Sequence, residues 1–226
     1  MVHIYESERR IFVIDTNLRV LPIFCTPVCY DKYELDLFEI ELIKREPLLD
    51  GAPFDGLSSV NRNILLKYPS LLEIVNTHIK NSLYDKIGLN IVDDIGYKIV
   101  SSWLNKHPPK HSAHKHTHPN SMFTGVLYID VPDDSGTISF TIPMSVPTWI
   151  TGTIQPKVKT YSLYNSRLWN FPCPTGVCIL FPSHLEHSVS ENKSDQDRYT
   201  IAFNIMLEGN IGDDEEVGEF LNIKVL

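Results

Sequence analysis

Residues 122–142 read MFTGVLYIDVPDDSGTISFTI, and this stretch decides the fold class. Its two ends are short runs rich in β-branched and aromatic residues, the composition that is typical of strands. The VPDDSG between them (131–136) concentrates Pro, Asp, Ser and Gly, which are the residues that form turns. We therefore interpret the stretch as two short strands joined by a turn.

Similar runs recur from about residue 94 to the C-terminus, with no helical segment between them. They are IGYKIVSSWLN (95–105), GVCILF (176–181), RYTIAFNIML (198–207) and FLNIKVL (220–226). Short strands at this spacing, separated by clusters of Pro, Gly, Asn and Asp, are typical of a sandwich or a barrel. We expect a jelly roll.

The N-terminal third has a mixed pattern. IFVID (11–15) and VLPIF (20–24) are interpreted as short strands, whereas YELDLFEIELIKRE (33–46) has near-helical spacing of its apolar residues. After Pro69, SLLEIVNTHIKNSLYDKIG (70–88) places apolar residues at three- and four-residue steps, which predicts a helix. We expect one mainly β domain over 1–226, in which a mixed α/β part (1–93) packs its helices on a jelly-roll core (94–226).

Composition excludes several classes of function. The chain has 226 residues and a formal net charge of −8, and it lacks the clustered Lys and Arg that bind nucleic-acid phosphates. No apolar run approaches the roughly 20 residues that span a bilayer. The N-terminal MVHIYESERRIF carries Glu and Arg where a signal peptide is apolar, so we expect a cytoplasmic protein.

Histidine is concentrated in one short segment. Residues 111–121 read HSAHKHTHPNS, with histidines at 111, 114, 116 and 118. Prolines bracket the segment and disfavour a helix, so an extended chain is the better interpretation. Residues two apart then share a face, and two imidazoles on one face can bind a divalent metal ion. A solvated His-rich loop is the alternative reading of the tract alone.

Further candidate groups lie downstream. FPSHLEHSVS (181–190) offers His184 or His187 as a third ligand, between two predicted strands. On the last long strand Arg198 and Thr200 point to the same face, and a guanidinium beside a hydroxyl is suited to a carboxylate. A surface ion pair is the alternative for Arg198. The four cysteines, in CTPVC (25–29) and CPTGVC (173–178), lack the tighter spacing usual in zinc sites.

These residues together resemble the iron(II)- and 2-oxoglutarate-dependent oxygenases, in particular a small bacterial and bacteriophage subfamily with an H-x-H motif. The similarity runs from about residue 20 to residue 207. The matching segments are IFCTPVCYD (23–31), SSWLN (101–105), HTHPNSMFTGVLYIDVP (116–132), GTISF (136–140), GVCILFPSHLEHSVSEN (176–192) and RYTIAFNI (198–205).

The resemblance implies a double-stranded β-helix, a cupin-like jelly roll whose open end holds Fe(II). It implies that His116, His118 and His187 are the metal ligands. It also implies that Arg198, helped by Thr200 and Tyr128, binds the far carboxylate of the cosubstrate 2-oxoglutarate. The family at large has Asp or Glu two residues after the first histidine, where this chain has His118, so a third neutral ligand replaces a carboxylate.

The expected function is a dioxygenase that hydroxylates a peptide or a small molecule and releases succinate and CO2. The alternatives are a three-His cupin-type metalloenzyme that does not use 2-oxoglutarate, and a non-enzymatic metal-binding β-sandwich such as a phage accessory protein. If the chain is phage-encoded, its location is the host cytoplasm, and a homodimer is left open. Four aromatic residues of the loop-rich region 146–172 either line a substrate cleft or are ordinary core and hairpin aromatics: Trp149, Tyr161, Tyr164 and Trp169.

Overall fold

The computed structural model describes residues 25–50, 56–89, 95–142, 157–211 and 221–225. Within these ranges the chain forms two α-helices, α1 (Leu37–Ile43) and α2 (Pro69–Lys80), and α2 continues into a π-helical turn, Asn81–Lys86. The strands are β1 (Cys29–Lys32), β2 (Leu48–Asp50), β3 (Leu57–Ser59), β4 (Ile95–His107), β5 (Ala113–His116), β6 (Phe123–Asp130), β7 (Ile138–Thr141), β8 (Leu168–Phe171), β9 (Val177–Pro182), β10 (His187–Val189), β11 (Arg198–Ile211) and β12 (Leu221–Ile223).

The strands form two antiparallel sheets. The larger sheet has eight strands in the order β1-β9-β6-β11-β4-β3-β2, with β12 paired to β11. The smaller sheet has four strands in the order β5-β10-β7-β8. From β5 to β11 the chain passes back and forth between the two sheets, except that β7 and β8 are consecutive strands of the smaller sheet. This arrangement is the jelly roll that the strand pattern predicted, so the expectation of a mainly β fold is confirmed.

The centre of the larger sheet is covered on both faces. Along β11 the odd-numbered residues Tyr199, Ile201, Phe203 and Ile205 belong to the core beneath the helices. The even-numbered residues Arg198, Thr200, Ala202 and Asn204 line a cavity between the two sheets. Because successive side chains of a strand point to opposite faces, one strand serves both stability and the candidate site.

The two helices close the outer face of the larger sheet. In α1 the Asp36 carboxylate accepts hydrogen bonds from the backbone N–H groups of Phe38 and Glu39, at 2.8 and 3.4 Å. In α2 the stripe predicted after Pro69 is buried, and it packs with Ile40 and Ile43 of α1 against the sheet. The helices expected to pack on the jelly roll are therefore present.

Some sequence predictions concern residues outside the described ranges. IFVID and VLPIF both lie in residues 1–24, and their prediction as strands stays a prediction. The extent of a single domain over 1–226 also stays a prediction, although β1, β2 and β3 add three N-terminal strands to the larger sheet. Among the described helices none is long and apolar enough to cross a membrane.

Candidate metal centre and anion pocket

Three of the predicted residues meet at one point between the sheets. His116 ends β5 and lies opposite His187, the first residue of β10, in the smaller sheet. His118 follows two residues after β5, and its backbone N–H is hydrogen-bonded to the Ser183 carbonyl at 3.0 Å. One ligand nitrogen from each histidine can be chosen so that all three lie within 4.8 Å of one another. Among the described residues this is the one such group of His, Cys, Asp and Glu side chains.

The hydrogen bonds of the three imidazoles define their tautomers. The Nδ1 atoms of His116 and His187 lie 2.7 and 2.9 Å from the carbonyl oxygens of His114 and Leu185. A carbonyl only accepts, so each Nδ1 carries the proton and donates. His118 donates its Nδ1–H in the same way to Asn204 Oδ1, at 2.9 Å. The lone pair of each ring is therefore on Nε2, the arrangement of metal-binding histidines whose other nitrogen is held by an acceptor.

All three histidines are neutral at physiological pH. Burial, and then the proximity of His116, lowers the pKa of His187 to about 3. Burial and His116 also lower the pKa of His118 to about 4, against the opposing effect of the Asn204 hydrogen bond. Burial lowers the pKa of His116 as well. Neutral imidazole is the form that binds metals, so burial prepares these side chains for a cation.

Sequence reasoning missed the residues that hold His118. Asn204 Oδ1 also accepts a hydrogen bond from Thr124 Oγ1 at 3.0 Å, and Asn204 Nδ2 donates to Ser101 Oγ at 3.2 Å. The Trp103 ring stacks on His118 with centroids 5.8 Å apart. These partners come from β4, β6 and β11, so only the register of the sheet brings them together. The one available signal in the sequence was the alternation of side chains along the predicted strand, which puts Asn204 on the same face as Arg198 and Thr200.

The neighbouring His and Glu side chains are not part of the triad. His114 and His184 are both exposed. Glu186, beside His187 in sequence, forms an ion pair with Lys115 at 3.3 Å. Of the two histidines that the sequence alone left open, His187 is 3% exposed and belongs to the cluster, whereas His184 is exposed and does not.

Arg198 lies in the same cavity and is almost fully buried. Its side chain is 1% exposed, and its Nη1 donates to the Ser135 carbonyl. Its Nε has no hydrogen-bond partner. Within the described ranges no Asp or Glu forms an ion pair with it. Burial lowers the pKa of Arg198, but a guanidinium remains charged at neutral pH. Because Arg198 is buried and has no ion pair within the described ranges, the surface ion pair considered as the alternative is wrong. A buried cation without a counter-charge is costly, which favours an anionic ligand beside it.

Thr200 and Tyr128 are directly opposite each other on β11 and β6 and line the same cavity. Thr200 is 5% exposed and Tyr128 is 4% exposed. Burial, and then the nearby Cys173, raises the pKa of Tyr128 well above its ordinary value, so the phenol keeps its proton and can donate it to an anion. The structure thus brings Arg198, Thr200 and Tyr128 to one end of the cavity.

The cavity between the sheets has a volume of about 410 Å³ and contains both sets of residues. Its lining includes the buried Arg198 and Ile138, the three histidines of the triad and the exposed Asp50 and Arg62. We refer to the part around Arg198 as the buried end and to the part around Asp50 and Arg62 as the rim. A cavity of this size accommodates small molecules.

The aromatic residues predicted near a substrate cleft are not core residues. Tyr161, Tyr164 and Trp169 are 76%, 44% and 38% exposed. None of them lines the cavity between the sheets. These three residues therefore lie neither in the core nor in this cavity: Trp169 belongs to β8, an edge strand of the smaller sheet, and Tyr161 and Tyr164 precede that strand. Their interpretation as hairpin aromatics stays a prediction. Trp149 lies outside the described residues.

Comparison with known families agrees with the geometry. Residues 101–204, slightly under half of the chain, match the family described as "Putative 2OG-Fe(II) oxygenase". The matched segment contains the H-x-H motif, His187 and Arg198, and the motif coincides with the histidine triad. No curated protein matches the sequence.

Solved structures show the same fold at low sequence identity. An oxidoreductase of the 2OG-Fe(II) oxygenase family from Burkholderia pseudomallei is 14% identical, with a TM-score of 0.53 over 79% of this chain and 84% of that one. The non-heme alpha ketoglutarate dependent epimerase SnoN from nogalamycin biosynthesis is 13% identical, with a TM-score of 0.54 over 81% and 79%. HygX from Streptomyces hygroscopicus, solved with nickel and 2-oxoglutarate, is 11% identical, with a TM-score of 0.52 over 80% and 83%.

Proposed function

We propose that this protein, whose residues 101–204 form a domain of the 2OG-Fe(II) oxygenase family, is an iron(II)- and 2-oxoglutarate-dependent dioxygenase. It would use O2 to hydroxylate a substrate while 2-oxoglutarate is oxidatively decarboxylated to succinate and CO2, with one oxygen atom of O2 going to succinate and the other to the hydroxylated product. The observation that carries this proposal is the buried, unpaired Arg198 in the same cavity as the three Nε2 atoms. A metal-binding triad alone fits many proteins, whereas the additional buried cation calls for an anionic second ligand.

The chain would hold iron(II) through the Nε2 atoms of His116, His118 and His187. The donor set fits, because the three neutral rings already have Nδ1 anchored and their lone pairs on Nε2. The three histidines would hold the ion from one side of the cavity, next to the space proposed for the cosubstrate. Bound iron(II) supplies the redox chemistry of the reaction, and the protein binds, orients and shields the reactants.

The buried end of the cavity would bind 2-oxoglutarate. Arg198 offers a planar guanidinium to the far carboxylate, and Thr200 and Tyr128 offer hydroxyl groups from opposite positions of neighbouring strands. The keto acid end then reaches the triad in the same cavity. Apolar side chains such as Ile138 and Val189 also line this cavity, so this interaction is made with little competition from water.

His118 makes the centre more positive than in a site with a carboxylate ligand. Three imidazoles contribute no charge, so the centre keeps the full charge of the divalent ion. The carboxylate at the keto acid end of 2-oxoglutarate would compensate one unit of this charge, because the other carboxylate is assigned to Arg198. A third histidine in place of a carboxylate ligand is thus compatible with an anionic cosubstrate.

The substrate would enter at the rim lined by Asp50 and Arg62. The rim carries one side chain of each sign and the edge of Trp103, over which Arg62 lies 5.7 Å from the ring centroid. With the net charge of −8, this rim is better suited to a peptide or a small polar molecule than to nucleic acid. A cytoplasmic location and a homodimer remain predictions.

The three-His cupin-type alternative makes a different prediction for Arg198. An enzyme that does not bind 2-oxoglutarate does not need a buried cation at this position. The decisive experiment is an anaerobic titration of iron(II)-loaded protein with 2-oxoglutarate. We expect a saturable visible charge-transfer band in the wild type. Arg198→Met should weaken binding by about tenfold to a hundredfold, the effect of losing a charged hydrogen-bonding group.

The matched control is Arg62→Met, which removes an exposed arginine from the rim and should leave the affinity for 2-oxoglutarate unchanged. Absence of the band in the wild type would refute the proposal. Equal affinity of the wild type and Arg198→Met would instead favour the cupin-type enzyme.

A further inference from the structure

Two buried polar atoms without hydrogen-bond partners, His107 Nδ1 and Arg198 Nε, belong to residues that line the cavity, and a third, Ser135 Oγ, belongs to the residue whose carbonyl accepts from Arg198. Five such side-chain atoms occur among the described residues: Ser70 Oγ, His78 Nε2, His107 Nδ1, Ser135 Oγ and Arg198 Nε. His107 is the cross-strand neighbour of Arg198, and the Ser135 carbonyl accepts from Arg198 Nη1. Buried polar groups in proteins are nearly always hydrogen-bonded, so unpartnered polar atoms on these neighbouring residues point to a binding site.

All three atoms can donate a hydrogen bond. Arg198 Nε carries a hydrogen, a serine hydroxyl can donate, and a neutral imidazole has one N–H. Burial, and then the charge of Arg198, lowers the pKa of His107 to about 3, so this ring is neutral at physiological pH. A group of donors around a buried cation is complementary to a carboxylate, which only accepts.

The position of His107 is fixed by the sheet. His107 is the last residue of β4, is 7% exposed and lines the same cavity as Arg198. Its far edge is closed by Gly56, where an added Cβ would lie 3.3 Å from His107 Cδ2 and 3.0 Å from the Lys106 carbonyl oxygen. Gly56 has a φ of +146°, so a larger residue is disfavoured there and the ring keeps its place.

We propose that His107, donating from Nδ1, is a further binding residue for the carboxylate that Arg198 holds, in addition to Thr200 and Tyr128. This inference rests on the proposed function, since it takes that carboxylate to be the far end of 2-oxoglutarate. His107 then raises the affinity of the protein for a dicarboxylic 2-oxo acid, which reaches Arg198, relative to shorter metal chelators, which do not reach it. The other reading is that His107 only packs between β3 and β11.

The test compares two ligands in two variants of iron(II)-loaded protein under anaerobic conditions. 2-Oxoglutarate is long enough to reach from the metal to Arg198 at the buried end of the cavity. Oxalate also chelates the metal but is too short to reach Arg198. His107→Phe fills the space without a donor. His107→Asn keeps an N–H donor near the position of Nδ1. Dissociation constants are measured by isothermal titration calorimetry, together with the metal content of each protein.

We expect His107→Phe to raise the dissociation constant for 2-oxoglutarate by at least about tenfold, while the affinity for oxalate and the metal content stay unchanged. His107→Asn should restore 2-oxoglutarate affinity to within about threefold of the wild type. The affinity ratio of the two ligands is taken within one protein, so a loss of folded protein does not imitate the effect.

Two results would overturn the inference and leave the proposed function intact. One is equal affinity of His107→Phe and the wild type for 2-oxoglutarate. The other is an equal loss for both ligands, the signature of a packing role. If the wild type itself does not bind 2-oxoglutarate, the proposed function fails, and the assignment of His107 fails with it.

Discussion

His118 is the residue on which the proposed chemistry depends most. It stands where most 2-oxoglutarate oxygenases, which this chain resembles, have a carboxylate, and its ring is oriented by Asn204 and stacked on Trp103. A carboxylate ligand would contribute charge, whereas His118 contributes only a lone pair. Its value as a ligand therefore depends on the acceptor that keeps the proton on Nδ1.

Replacing Asn204 tests this dependence. Asn204→Leu removes the acceptor for His118 Nδ1–H and should weaken metal binding by about tenfold to a hundredfold, the usual effect of losing an outer partner of a metal-binding histidine. Asn204→Asp keeps an acceptor and should bind metal at least as tightly as the wild type. The measurement is competition for zinc with a chromophoric chelator.

His184→Gln is the control, because His184 is exposed and outside the triad. Metal affinity of Asn204→Leu equal to that of the wild type would contradict the role given to Asn204.

At this scale the sequence predicted residues that lie close together in the chain or share a strand. The flanking prolines and the alternation of side chains along an extended chain put alternate histidines on one face, and the family resemblance then selected His116 and His118. The same alternation placed Thr200 with Arg198. Sequence reasoning could not find Asn204 as the partner of His118, because 86 positions separate them. His107 was equally hidden, since its pairing with Arg198 depends on the register of β4 and β11.

At the scale of elements, the two helices support the sheet that carries the site. Glu39 in α1 accepts hydrogen bonds from the backbone N–H groups of Ser70 and Leu71, at 3.3 and 3.2 Å, in the first turn of α2. A carboxylate at a helix N-terminus satisfies unpaired donors and interacts favourably with the helix dipole. One helix thus caps the other, and both are held against the odd-numbered face of β11.

Glu39→Ala should lower the free energy of unfolding by about 1 kcal/mol, the typical cost of a lost helix cap. Urea denaturation followed by circular dichroism measures the change. Glu41→Ala removes an exposed carboxylate of the same helix that contacts Lys44, and it should change the free energy by less than about 0.5 kcal/mol. Equal effects of the two substitutions would show that Glu39 does not act as a cap.

Element types were predictable where the periodicity was long and unbroken. The stripe after Pro69 predicted α2, and the β-branched runs predicted β6, β7, β9 and β11. The exposure of Trp169 was not predictable, because an edge strand and a central strand can have the same composition. Which strand lies at an edge is decided by the pairing of the whole sheet.

At the scale of the whole molecule, buried histidines couple stability to pH. His78, His107 and His187 are 2%, 7% and 3% exposed. Burial is the largest cause that lowers the pKa of each, to about 3 for His107 and His187. The unfolded chain protonates these side chains near pH 6.5, whereas the folded chain keeps them neutral. Stability is therefore lost as the pH falls below about 6.5.

We expect the free energy of unfolding of the metal-free protein to decrease between pH 7 and pH 5, a window above the titration of ordinary carboxylates. Each buried histidine contributes at most about 1.4 kcal/mol per pH unit. Urea denaturation at several pH values measures this slope, and His107→Asn should reduce it. A free energy that is constant over this window would contradict the neutral state assigned to these histidines.

The central claim is that three Nε2 atoms hold iron(II) and that Arg198 holds the far carboxylate of 2-oxoglutarate. A crystal structure of the protein with iron(II) and 2-oxoglutarate, prepared anaerobically and measured at the iron absorption edge, tests both parts at once. We predict one anomalous peak about 2.1 Å from Nε2 of His116, His118 and His187, with the cosubstrate extending from it to Arg198. A metal bound without His118, or a cosubstrate carboxylate that lies away from Arg198, would contradict the claim.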